Sequence, residues 1–91
     1  MARPRPDPRS LASPRHVRLG QILADARLKA GLTQGALAQA LGQDQSYVSR
    51  YETGFRRLDA IELLDVAAIL KCNLENVLEA VRQTSQPPSQ Q

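Results

Sequence analysis

The chain has 91 residues, a net charge of +3 and one cysteine, Cys72. That length makes one small domain, and a lone thiol excludes both an internal disulfide framework and a cysteine-based zinc site. No apolar run approaches the ~20 residues needed to span a bilayer, and no apolar signal region follows the basic N-terminus, so a cytoplasmic protein is expected.

The prolines lie only at Pro4, Pro6, Pro8, Pro14, Pro87 and Pro88, which leaves residues 15–86 without a backbone breaker. Tyr47, Tyr51 and Phe55 are the only aromatic residues, and the remaining apolar residues are mostly Leu, Ala, Val and Ile without strand-length β-branched runs. An all-α fold is expected. Residues 1–13 read as a flexible arm rich in Pro and Arg, residues 14–82 as the folded domain, and residues 83–91 as a disordered tail of Gln, Ser and Pro.

Ser13-Pro14 is a helix start, with serine as N-cap and proline at the first helical position. Leu19, Ile22, Leu23, Ala26 and Ala30 then form an apolar stripe, and Gly31 is placed to end the helix. A start nearer Val17 is the alternative. Thr33 caps a short second helix over residues 33–41, whose inner face is Leu37, Ala38 and Leu41. Gly42-Gln43 turns the chain into Asp44, expected to cap a third helix over residues 44–53 that Gly54 closes. Asp59 and Glu62 have the spacing of a capping box at the head of a fourth helix, with Ala60, Leu63, Ala67 and Leu70 on one stripe. Asn73 caps a fifth carrying Leu74, Val77, Leu78 and Val81.

Two helices of this length joined by a tight glycine turn have the helix-turn-helix layout, in which the second helix can enter a major groove of DNA. Charge is distributed in keeping with that. Residues 1–18 carry a net +4 and residues 27–57 a net +3, whereas residues 58–82 carry −3. One face suits phosphate and another turns away from it.

The segments LTQGALAQALGQDQSYVSRYETG and ELLDVAAILKCNLENVL resemble the lambda-repressor-like (Cro/Xre-type) helix-turn-helix family over about Leu19 to Leu78. The specific elements are Thr33-Gln34, Leu37-Ala38-x-x-Leu41-Gly42, Val48-Ser49-Arg50 and Glu52-x-Gly54. The resemblance implies that Gln34 binds a phosphate and braces the recognition helix, and that Gln45, Ser46, Ser49 and Arg50 face base edges. Spacing supports the second point, since residues 45 and 49, and 46 and 50, are pairs four apart on one helix face. Arginine can read guanine and glutamine adenine. Val48 is expected to face the core, with Tyr51 at its edge. Contacts to the DNA backbone are assigned to Gln34, Tyr47, Arg56 and Arg57, and the resemblance pairs Arg27 with Glu52 as a salt bridge between the first and third helices. Phe55 stands where the family commonly has a basic residue, Leu58 where it often has proline, and Ala36 where a capping acid is usual. Asp44 would oppose phosphate, so capping is its expected task.

Ile61, Leu64 and Ala68 repeat on the side of the fourth helix opposite its other apolar stripe, and Val81 adds apolar surface on the fifth. A homodimer through these residues is expected, reading a near-palindromic site. Arg3, Arg5, Arg9 and Arg15 form a minor-groove arm or a solubilising tail. His16 has no nucleophile–acid set around it, and no phosphate loop or metal-ligand cluster occurs, so neither catalysis nor a cofactor is expected. Cys72 is expected to be a buried, inert thiol. At this length no separate effector domain is expected. The chain therefore reads as a small repressor or controller acting on double-stranded DNA. The alternative is an interaction or antitoxin-type module whose partner is a protein.

Overall fold

A computed structural model describes residues 13–84. It contains the helices α1 (Pro14–Lys29), α2 (Gln34–Leu41), α3 (Gln45–Glu52), α4 (Ala60–Leu70) and α5 (Leu74–Arg82), with no strand among the described residues. The arm arginines Arg3, Arg5 and Arg9 and the tail beyond Thr84 lie outside them.

Local chemistry sets most of the boundaries. Ser13 Oγ accepts the His16 N–H at 3.2 Å ahead of Pro14, so α1 starts there and not at Val17. Thr33 Oγ1 accepts the Ala36 N–H at 3.0 Å, and Asn73 Oδ1 accepts the Asn76 N–H at 3.0 Å. Asp59 and Glu62 form the reciprocal capping box, at 2.7 Å from the Glu62 N–H and 2.9 Å from the Asp59 N–H. Asp44 differs from expectation: it has the extended backbone of an N-cap, but its side chain accepts no capping hydrogen bond. At the end of α3, Gly54 has φ +88°, the Gly54 N–H donates to the Tyr51 carbonyl at 3.3 Å, and the Phe55 N–H reaches back to the Arg50 carbonyl at 2.8 Å. This is a Schellman stop.

The core is built from Leu23, Leu37, Val48 and Val66, all fully buried, with Ala38, Tyr51, Leu63, Leu70 and Val77 around them. Helix α1 packs on α3 and α5, and α2 on α3 and α4. Ala30 and Ala60, expected on apolar stripes, are exposed because each lies at an end of its helix, where no neighbour covers it. Tyr51 is buried and does not sit at the edge of the core. Its hydroxyl has no hydrogen-bond partner among the described residues, and burial, with the nearby Glu52 charge, pushes its pKa up. Arg15, grouped with the arm by sequence, belongs to α1. Its guanidinium donates to the carbonyls of Thr84 at 3.0 Å and Arg82 at 3.3 Å, satisfying groups left open at the end of α5. Cys72 is half-buried rather than buried, in a shallow groove between α1 and α5.

Two features join α1 to α3. Gly20 is buried in mid-helix, and a Cβ there would lie 2.5 Å from the Tyr51 carbonyl oxygen and 2.6 Å from that of Glu52. The helices thus meet backbone to backbone at this point. Nearby, Arg27 and Glu52 form the expected ion pair at 2.8 Å, with side chains only 11% and 6% exposed. Arg27 also donates to the Leu32 carbonyl at 2.9 Å. The hydrogen-bonded Glu52 carboxylate holds the guanidinium pKa above its usual value, although burial works against it.

Gly20→Ala should force the two backbones apart. Urea unfolding should show a loss of about 1–3 kcal/mol, although alanine is the better helix former. Glu52→Gln leaves the Arg27 charge buried without its counter-charge and should cost ~3 kcal/mol in the same measurement. A change within ~0.5 kcal/mol would show that water reaches the pair despite its burial.

Candidate nucleic-acid interface

Helix α3 divides into two faces. Tyr47, Val48 and Tyr51 point inward, whereas Gln45, Ser46 and Arg50 are exposed and Ser49 is half-buried. The four side chains predicted to share a face therefore lie on the side of α3 away from the core. Three of them are uncharged hydrogen-bonding groups and the fourth is arginine. All can donate, and Gln and Ser can also accept, as reading base edges requires.

A chain of polar contacts leads from the interior to the head of this face. Glu52 Oε1, already receiving Arg27 Nη2 at 3.2 Å, accepts Gln34 Nε2 at 2.9 Å. Gln34 Oε1 in turn accepts Gln45 Nε2 at 3.3 Å. Gln34 is the first residue of α2 and Gln45 the first of α3. The helix–turn–helix geometry sets these two amides side by side, and the buried ion pair orients the inner one. The family resemblance implied a bracing role for Gln34 but not the contact with Gln45, which depends on how the turn closes.

The loop after α3 rearranges the expected backbone contacts. Arg56 does not present a free charge. It grips Glu62 through Nη1 at 3.1 Å and Nη2 at 3.0 Å, donates to the Arg57 carbonyl at 2.8 Å, and lies 4.5 Å over the Tyr47 ring. The hydrogen-bonded Glu62 carboxylate holds the Arg56 pKa up against a desolvation effect, and Arg56, followed by the Asp59 backbone N–H, holds Glu62 below the usual carboxylate range. Tyr47 is only 9% exposed, with its ring edge-on to Tyr51 at 5.7 Å. The ring is in the core because position 47 lies one helical turn before the buried Tyr51 on the inner side of α3. Arg57 is exposed and has no ion pair among the described residues. The clue to Arg56 in the sequence was Glu62 itself, whose carboxylate serves both the capping box and the guanidinium.

Leu58 takes the place of a family proline and packs against the core from the loop. His16 Nδ1 lies 2.7 Å from Ser13 Oγ at the start of α1, and burial, then the charge of Arg57, lowers its pKa. That pairing belongs to the helix cap. Among the described residues no cluster of His, Cys, Asp and Glu could hold a metal ion, and no helix is long and apolar enough to cross a membrane. On α4, Ile61 is 65% and Leu64 49% exposed and Ala68 is also exposed, while Val81 on α5 is half-buried.

Comparison with known proteins agrees with this architecture. A helix-turn-helix family profile matches residues 23–77. Curated protein sequences give no match. Among solved structures, the restriction-modification controller protein C.AhdI from Aeromonas hydrophila is 34% identical over 67% of this chain and 92% of its own, with a TM-score of 0.63. An XRE-family like protein from Pseudomonas syringae pv. tomato is 38% identical over 75% of this chain and 83% of its own, with a TM-score of 0.67. The clp gene regulator ClgR from Corynebacterium glutamicum is 26% identical over 77% of this chain and 90% of its own, with a TM-score of 0.71. With the profile spanning most of the folded residues and the motif geometry in place, the chain belongs to the XRE-type, lambda-repressor-like helix-turn-helix family.

Proposed function

We propose that this protein is a small transcriptional repressor or controller that binds as a homodimer to a near-palindromic site in double-stranded DNA. The coarser part of this reading, DNA-binding regulation of transcription, is the business of the family. The observation that supports sequence-specific reading is the outward face of α3, Gln45, Ser46, Ser49 and Arg50, held from behind by the Gln34–Glu52–Arg27 chain.

The geometry suggests how such a face would read sequence. Gln45 gives one amide hydrogen to Gln34, which leaves its other hydrogen and its carbonyl oxygen facing outward. Adenine offers an acceptor at N7 and a donor at N6, the complementary pair. An amide already oriented loses less rotational freedom on binding than one that must be fixed at that moment. Arg50 can take guanine O6 and N7 with its forked donors. Gln34 and Arg57 supply phosphate contacts, while Arg56 and Tyr47 act behind them by holding the loop in place. Such contacts set the register of the helix on the duplex; the base-edge contacts set the sequence.

A dimer would place a second recognition helix about 34 Å from the first, one turn of the duplex away. Ile61, Leu64 and Ala68, with Val81, are the residues assigned to that interface. The exposure of Ile61, Leu64 and Ala68 on a helix that also buries Leu63, Val66, Ala67 and Leu70 on its other side supports this reading, with Val81 half-buried on α5. The protein has no catalytic role in it. The competing reading, a protein-binding module, would have to use that α4 face or the exposed side chains of Leu28, Phe55 and Leu78, since the outward side of α3 carries no large apolar residue.

A duplex selected from random DNA by the protein provides the test. Gln45→Ala and Arg50→Ala should each lose ~1–3 kcal/mol on the selected site and little on random duplex. Equal losses on both duplexes would remove base reading by these residues, and failure to select any sequence would favour the protein-binding alternative. In sedimentation at micromolar concentration without DNA, the wild type should run as a dimer and Ile61→Lys with Leu64→Lys as a monomer; a monomeric wild type would overturn the proposed interface.

A further inference from the structure

Large hydrophobic side chains are exposed at Leu28, Ile61, Leu64 and Leu78, all on helices, and at Phe55, the only one in a loop among the described residues. Phe55 is 60% exposed. Its place is fixed by the Schellman stop, in which its backbone N–H bonds to the carbonyl of Arg50, the last of the residues assigned to base reading. The residue in this position of a Schellman stop commonly packs an apolar side chain back onto the helix. Here the helix residues it would meet are Arg50 and Ser49, and the ring stays largely uncovered.

Its neighbours on the loop are polar or cationic. Thr53 and Arg57 are exposed, Gly54 is turned inward against Val17, and Arg56 is bound to Glu62. A surface for a folded protein partner would be expected to surround an exposed aromatic with further apolar area. An aromatic ring set singly among cations instead suits a partner that is anionic yet offers small apolar faces. The nucleic-acid backbone is such a surface, with phosphates for the cations and deoxyribose C–H edges for the ring.

We infer that Phe55 is an uncharged contact to DNA, its ring packing on the deoxyribose edge of the strand flanking the groove that α3 enters. The inference rests on the DNA-binding reading above. Phe55 stands beyond the helix end, past the positions that face base edges and on the same loop as Arg57, so the strand backbone is its nearest DNA surface. Phenylalanine cannot displace a counterion from phosphate, so its contribution adds affinity that salt does not weaken. The loop would thus combine a salt-sensitive contact at Arg57 with a salt-insensitive one at Phe55.

Binding to the selected duplex and to random duplex, each across a range of salt concentrations, separates the outcomes. Phe55→Ala should weaken binding about tenfold on both, with the slope of log affinity against log salt unchanged. Phe55→Leu should restore most of the loss, and Phe55→Lys should steepen the slope by about 0.9, one phosphate's worth. Arg57→Ala, the electrostatic comparison, should flatten it by the same amount. Wild-type affinity in Phe55→Ala, with an unchanged unfolding midpoint confirming the fold, would overturn the inference. So would a loss confined to the selected duplex and reproduced by replacing thymine with uracil, which would identify a base-methyl contact. Dissociation of the DNA-free dimer in Phe55→Ala would overturn it too, placing the ring in a protein interface. A wild type that binds no duplex even at low salt would instead sink the DNA-binding reading itself.

Discussion

Glu52 is the last residue of α3, and its carboxylate and carbonyl serve different neighbours. The carboxylate receives Arg27 from α1 and Gln34 from α2, while the carbonyl oxygen lies against Gly20, where no side chain could fit. A helix of eight residues is too short to persist alone in water, so the existence and the direction of α3 are both imposed from outside. The ion pair is well enough buried that neither charge can be removed without stranding the other. That sets the angle at which α3 leaves the domain more firmly than apolar contact alone would. The two amides beyond it, Gln34 and Gln45, carry the same constraint to the surface.

The charge distribution follows a related logic. The chain as a whole is basic, yet residues 19–91 carry a net −1. Within the domain, Arg27 is neutralised by Glu52 and Arg56 by Glu62. What remains near the end of α3 is Arg50 on the helix and Arg57 on the loop, both exposed. Cations that look equivalent in the sequence therefore divide into those that shape the protein and those that face outward. Arg27, buried, holds geometry at a desolvation cost, Arg56 does so at the surface, and the unpaired cations keep a charge whose reach salt controls.

The uncovered apolar groups are also segregated. Ile61, Leu64 and Ala68 share one side of α4, at spacings that leave Leu63, Val66 and Ala67 for the core. Phe55 lies apart from them, just past the stop of α3. The apolar side of α4 and the ring past the end of α3 are thus separate surfaces, so substitutions at one leave the other in place.

Helix identity and most helix ends were legible in the sequence because they are settled by near neighbours. Ser13 before Pro14, Thr33, Asn73, the Asp59–Glu62 box and glycines with positive φ at 31, 42 and 54 act within three or four residues of themselves. The outward grouping of Gln45, Ser46, Ser49 and Arg50 followed from helical period, and the Arg27–Glu52 pair from family resemblance. Tertiary packing decided the rest. Nothing in the local pattern marks Gly20, whose lack of a side chain matters only because the backbone of α3 lies against it. Asp44 has a cap's residue type and backbone but makes no capping bond. Tyr47, expected at the DNA backbone, has its ring in the core, and Arg56 lies over that ring at the surface, because Glu62 from the next helix pairs with its guanidinium. Local pattern specifies which residues share a face. Which faces close upon each other, and which charges meet when they do, depends on elements distant in the chain, and only the assembled fold brings those together.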